Sequence, residues 1–169
     1  MKWSDSYSMG IKVVDEQHKG LMEFVNDIFN QRIENEKEEL IWFRNIIQQM
    51  VKYIKIHFQT EESLMQATNF PGYVDHKKIH NTFVLTVIKA AREYDEGKRL
   101  VRAKFAFFLR DWIQSHIAIM DKQYSEYFWK IATRKEDGKL SITRADIDGM
   151  GTAVTENSAK TTPPLSLTG

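Results

Sequence analysis

Apolar residues recur along this chain by threes and fours, the spacing of amphipathic helices, and no stretch shows the strict alternation of a strand. Val14, His18, Leu21, Val25 and Ile28 predict a first helix from Val14 to about residue 33. The longest run is Leu40, Phe43, Ile47, Met50, Ile54, His57, Glu61 and Leu64, which predicts a second helix over about 36–67. Asn35, followed by Glu38, reads as its N-cap with a capping-box acid. Asn69-Phe70-Pro71-Gly72 breaks the pattern, with Pro71 suited to the first turn of the next helix. Tyr73, His76, His80, Phe83, Val87, Ala90 and Tyr94 then mark a third helix, ended by Asp95-Glu96-Gly97 with Gly97 as C-cap. A fourth follows from about Arg99 to Ala132. Short connections between four such helices predict an all-α, antiparallel up-down-up-down four-helix bundle. Ahead of it, Trp3, Tyr7 and Met9 around Gly10 suggest an irregular arm over residues 1–13 that packs its aromatics on the domain.

The fourth helix changes phase partway along. Its seam runs Phe105, Leu109, Trp112, His116, and an undistorted helix would continue it through Met120, Gln123 and Tyr127. A far better core continues through Asp121, Tyr124, Phe128 and Ile131. The two phases differ by one residue, so the spacing predicts a π-bulge or equivalent unwinding between His116 and Asp121. Its effect is to turn Asp121 onto the inner face that carries His116.

Composition narrows the function classes. The 169 residues suit one domain with a full core. Formal net charge is +1 and no basic cluster stands out, which argues against a nucleic-acid partner. The absence of cysteine excludes a disulfide framework, a zinc ribbon, an iron–sulfur cluster and a thiol nucleophile. No secretory h-region and no apolar run of membrane-spanning length is present, so the chain reads as cytoplasmic, without a membrane partner. From Thr133 onward there is no aromatic residue and no histidine, while Thr, Ser, Gly and Pro accumulate. The expected division is therefore a helical bundle over 1–132 and a flexible tail or linker over 133–169, with at most a helical turn at 141–147.

The chemistry lies in the helical seams. His57 and Glu61, four residues apart, share one helix face about a turn apart. All five histidines, His18, His57, His76, His80 and His116, fall on inward seams, one or two per helix. A lone histidine in a core is ordinarily satisfied by a hydrogen bond, but five together would compete for partners in a dry interior. Metal ligation satisfies all five, and it compensates Glu61 and Asp121 as well. Five imidazoles and two bridging carboxylates around two six-coordinate ions that share a hydroxide leave one coordination position open. Imidazole with carboxylate suits iron, with manganese and zinc as alternatives, over calcium or magnesium.

Four motifs in order, Val14-Asp15-Glu16-Gln17-His18, His57-Phe58-x-x-Glu61-Glu62, His76-x-x-x-His80 and His116-Ile117-x-x-x-Asp121-Lys122-x-Tyr124, resemble those of the hemerythrin family, specifically the bacteriohemerythrins. The resemblance spans about residues 3 to 130. It implies reversible O2 binding, for oxygen carriage, storage or delivery, by a protein that is not an enzyme. The cofactor it implies is two iron ions (Fe2+/Fe3+) with a bridging oxo or hydroxo group. By matching positions His76, His80 and His116 would hold one iron, His18 and His57 the other, and Glu61 and Asp121 would bridge them. Phe58, Trp112, Ile113 and Ile117 would then line an apolar O2 pocket, and Tyr124 would hydrogen-bond a bridging carboxylate. The alternative is an O2- or redox-sensing domain that signals through the tail to an output domain or partner protein. A ferritin-like di-iron oxidase is disfavoured, because no histidine here has Glu three residues before it.

Overall fold

A computed structural model describes residues 1–96 and 102–133. A 3₁₀ turn at Asp5–Tyr7 leads into α1 (Lys12–Asn30), α2 (Glu36–Ala67), α3 (Tyr73–Asp95) and α4 (Arg102–Ser115). A six-residue π-helical turn, His116–Asp121, follows, and α5 (Lys122–Thr133) completes the described chain. Ser115 and Lys122, on either side of the π turn, keep right-handed helical backbone, so α4, the turn and α5 form one continuous fourth rod. The anticipated phase change therefore has its cause in the backbone: a π turn between His116 and Asp121.

The four rods form an antiparallel bundle in which α1 packs on α2 and α4, and α2 on α3. The chain alternates direction, so the start of α1, the end of α2 and the start of α3 meet at one end of the bundle. That end carries the polar seam residues. The opposite end is filled by aromatic and aliphatic side chains, with Phe43 in ring contact with both Tyr94 and Phe105. Val14, Val25, Ile54, Phe83, Val87 and Leu109 are buried between the two ends. Among the described residues no helix is long and apolar enough to cross a membrane.

α1 begins at Lys12 and not at Val14, and two further helix ends differ from the sequence expectations. α1 stops at Asn30, short of residue 33, because no apolar residue extends its seam and Gln31 is already extended at φ −63°, ψ 125°. Pro71 does not begin the third helix but sits in the turn before it, with Gly72 as N-cap. The reason is how α2 ends. Asn69 adopts the left-handed conformation at φ 52°. This lets Asn69 N–H reach Gln66 O at 3.1 Å and Phe70 N–H reach Met65 O at 2.8 Å, a Schellman closure that occupies the residues up to Phe70. At the other end of α2, Asn35 accepts the Lys37 N–H at 2.9 Å, in line with its expected cap role. The expected cap at Gly97, the start at Arg99, the turn at 141–147 and the tail from residue 134 onward lie outside the described residues.

The Asn69 closure yields a stability test. Asn69→Gly relieves the left-handed conformation and should change unfolding free energy by less than about 0.5 kcal/mol, whereas Asn69→Val should cost about 1–2 kcal/mol. Denaturant unfolding of the two variants checks it, and equal stabilities would contradict the Schellman closure.

Candidate metal centre

α1 supplies His18, α2 supplies His57 and Glu61, α3 supplies His76 and His80, and the π turn supplies His116 and Asp121. All seven are buried, and His18, Glu61 and Asp121 are 0% exposed. The π turn decides the placement of Asp121. Met120 is only half-buried and Gln123 is exposed, while Asp121, Tyr124 and Phe128 face the core.

The histidine ring nitrogens converge. His80 Nε2 stands 3.0 Å from His76 Nε2 and 3.0 Å from His116 Nε2. Adjacent imidazole ligands at about 2.1 Å from one ion and at right angles to each other would stand about 3.0 Å apart. Each carboxylate reaches toward both histidine groups. Asp121 Oδ1 lies 3.3 Å from His76 Nε2 and 3.2 Å from His116 Nε2, while its Oδ2 lies 3.3 Å from His18 Nε2. Glu61 Oε2 lies 3.3 Å from His80 Nε2 and 3.6 Å from His57 Nε2, and its Oε1 lies 3.5 Å from His18 Nε2. Among the described residues, the groups that could hold an ion are Glu61 with His76, His80 and His116, and Glu61 with His18, His57 and Asp121.

Protein partners do not satisfy this cluster. Both ring nitrogens of His18, Nδ1 of His116, Oε2 of Glu61 and both oxygens of Asp121 are buried without a hydrogen-bond partner. Such groups are expensive inside a protein. Four of these six atoms, His18 Nε2, Glu61 Oε2 and the two Asp121 oxygens, point into the shared space, where a pair of cations would compensate them. The residues present therefore fit a two-metal site.

Electrostatics in the metal-free cluster split the histidines. Burial drives His57 down to about 3 and His116 down to about 4, against the pull of the carboxylates. Burial also opposes charge on His18, but the Asp121 and Glu61 carboxylates 3.3 and 3.5 Å from its Nε2 outweigh it and raise His18 to about 9. Burial would push both carboxyls up, yet the neighbouring imidazoles hold Glu61 well below its ordinary value and Asp121 below its own. Tyr124 is pushed far up by burial and then by Glu61 and Asp121, so it remains a phenol. It donates to Glu61 Oε1 at 3.0 Å, the contact expected of it.

Two orienting contacts escaped the sequence reading. His57 Nδ1 meets Gln17 Oε1 at 3.2 Å, and Gln17 Nε2 in turn donates to Thr60 Oγ1 at 3.1 Å. Because Thr60 gives its own proton to Ile56 O, the chain of bonds fixes Gln17 as acceptor toward His57 and leaves His57 Nε2 as a lone pair facing the cluster. His80 Nδ1 donates to Glu62 Oε1 at 3.3 Å, and Lys77 Nζ donates to the other Glu62 oxygen at 2.8 Å. Gln17 and Glu62 stand beside ligands within the sequence motifs, which was the signal available for them. Of the four anticipated pocket residues, Phe58 stacks on His80 at 3.6 Å and Trp112 stacks on His116 at 4.3 Å, while Ile113 and Ile117 are buried in the core.

The hemerythrin HHE cation binding domain matches residues 9–128 of the chain. A bacteriohemerythrin of Pseudomonas aeruginosa (strain UCBPP-PA14) is 30% identical over 122 residues, 72% of this chain and 77% of that one. A bacteriohemerythrin of Stenotrophomonas maltophilia is 26% identical over 124 residues, 73% of this chain and 78% of its own length. A myohemerythrin of Theromyzon tessulatum is 27% identical over 123 residues, covering 73% and 89%. A crystal structure of wild-type hemerythrin shares the fold with a TM-score of 0.68 at 24% identity, covering 76% of this chain and 97% of the other.

The charge state of His18 gives a signed pH dependence. Below about 9 the metal-free protein carries a proton on His18 that a metal ion must displace, whereas His57 and His116 are already neutral. Metal uptake should release protons at neutral pH, and apparent affinity should fall as pH is lowered from 9 to 6. Competition titrations across that interval measure it, and an affinity independent of pH would contradict displacement of a proton from His18 or from His76, which Asp121 also holds above its ordinary value.

Proposed function

The chain belongs to the hemerythrin family, and from that premise we propose that residues 1–132 bind O2 reversibly at a non-haem di-iron centre, for carriage, storage or delivery. Hemerythrins bind oxygen rather than turn over a substrate, and we give this chain the same non-enzymatic role. The observation that carries the reading is the group of buried polar atoms without protein partners, drawn from His18, His116, Glu61 and Asp121, inside an apolar bundle. In this reading His76, His80 and His116 would hold one iron, His18 and His57 the other, and Glu61 and Asp121 would be shared between them. The irons, with a bridging oxo or hydroxo group, would supply the electrons that O2 borrows on binding and returns on release.

The remaining work falls to the chain itself. Gln17 and Glu62 fix the rings of His57 and His80 through Nδ1, so that each presents Nε2 inward. The Tyr124 hydroxyl withdraws charge from Glu61 and keeps that carboxylate from swinging. Phe58, Trp112, Ile113 and Ile117 keep water and anions from the centre, which favours release of oxygen intact over loss of its reduced form. A sensing role is the second reading. One observation favours it: α5 follows Asp121 directly and runs without interruption to Thr133, so a shift at that carboxylate would be carried along α5.

His76→Ala or Glu61→Ala should each abolish stable two-iron occupancy, measured as iron per chain after desalting. A variant that still holds two irons would remove that residue from the site. Truncation after Ala132 should leave iron content and O2 binding as in the full chain, and their loss would place the tail within the functional unit.

A further inference from the structure

Two residues of the sequence motifs, Asp15 and Lys122, take no part in the cluster or its apolar wall, and both meet the N-terminal arm. Asp15 grips the arm from α1: its Oδ2 accepts from the Ser8 hydroxyl and its Oδ1 from the Met9 N–H, each at 2.6 Å. The carbonyls of Ser8 and Met9 are left facing α5. Lys122 Nζ donates to Ser8 O at 2.6 Å, while Ser125 Oγ and Trp129 Nε1 both donate to Met9 O, at 2.9 and 2.8 Å. Gly10 permits this approach, since it lies at φ 71° and a Cβ there would come within 3.3 Å of Trp129 Nε1.

Lys122, Ser125 and Trp129 each follow by one residue the inward stripe of Asp121, Tyr124 and Phe128. One residue is about 100° of helical turn, so one stripe faces the core while the other faces the arm. Both directions depend on the extra residue accommodated by the π turn. Were the turn to relax to ordinary α-helix, Met120, Gln123 and Tyr127 would face the core, and Asp121, Tyr124 and Phe128 would face the arm. Of these three only Tyr124 carries a donor, in place of the three that Lys122, Ser125 and Trp129 now supply to the two carbonyls.

We infer that Lys122 and Ser125 are positioning residues which, through the Ser8 and Met9 carbonyls, lock the fourth rod in its π register and so hold Asp121 in the metal centre. Asp15 ties the arm to the helix that carries His18, so one clasp joins the two elements whose side chains His18 and Asp121 stand 3.3 Å apart. The inference rests on the two-iron reading above. Linkage makes it reciprocal: iron held by Asp121 must stabilise the docked arm to the degree that the arm stabilises iron.

The test is an anaerobic ferrous titration of the full chain, wild type against the Lys122→Met/Ser125→Ala double variant, with amide hydrogen exchange over residues 1–10 in each state. At unchanged far-UV helicity, the double variant should bind its weaker iron at least about fivefold less tightly, and Lys122→Arg/Ser125→Thr should restore binding. Iron should slow exchange in the wild-type arm and not in the variant's. Phe43→Leu, at the far end of the bundle, supplies a destabilised control that keeps its iron affinity, and Ser125→Ala alone serves if the double variant does not fold. Wild type taking fewer than two irons would remove the two-iron reading itself. Wild type taking two, with the double variant equal to it or the Phe43 control equally weakened, would overturn the register lock alone.

Discussion

Two carboxylates with no solvent exposure set the terms for this fold. Moving an ionised carboxylate out of water costs several kcal/mol even after the protein relaxes. Glu61 and Asp121 stay ionised nonetheless, with five imidazoles gathered around them. From the side chains alone the compensation is incomplete: His18 keeps its proton, but burial discharges His57 and His116. Two divalent cations would complete it, and the same dry surroundings would strengthen their attraction to the cluster.

The bundle meets this cost by separating its ends. Aromatic packing of Phe43, Tyr94 and Phe105 supplies apolar burial at one end, which frees the other to hold charge. Rings continue that packing up to the cluster: Phe83 stacks on Trp112 at 3.7 Å, and Trp112 stacks on His116. The rings beside the cluster are thus continuous with the core that stabilises the helices. The arm closes the polar end over the first residues of α5.

Most of this was legible in the order of side chains. The five histidines and Glu61 lie on seams that any helix-period reading finds, and the one-residue slip between Leu109–His116 and Tyr124–Phe128 located the π turn and turned Asp121 inward. The role of the arm was not legible. It acts through the backbone carbonyls of Ser8 and Met9, and no side-chain pattern marks a carbonyl as an acceptor. Pro71 misled for a related reason: the left-handed Asn69 decides where α2 closes, and a proline two residues later only follows. Gln17 and Glu62 were visible as motif members, but their partners are set by packing between helices and not by spacing along one.

The most direct measurement is to load the protein with iron, reduce it without air, admit O2 and then remove it, while following the visible spectrum with iron quantified. The account predicts two irons per chain and an oxygen-dependent band that appears on admission and fades on removal over repeated cycles. A single irreversible change to a ferric spectrum, with peroxide released, would contradict reversible binding as the function of this centre.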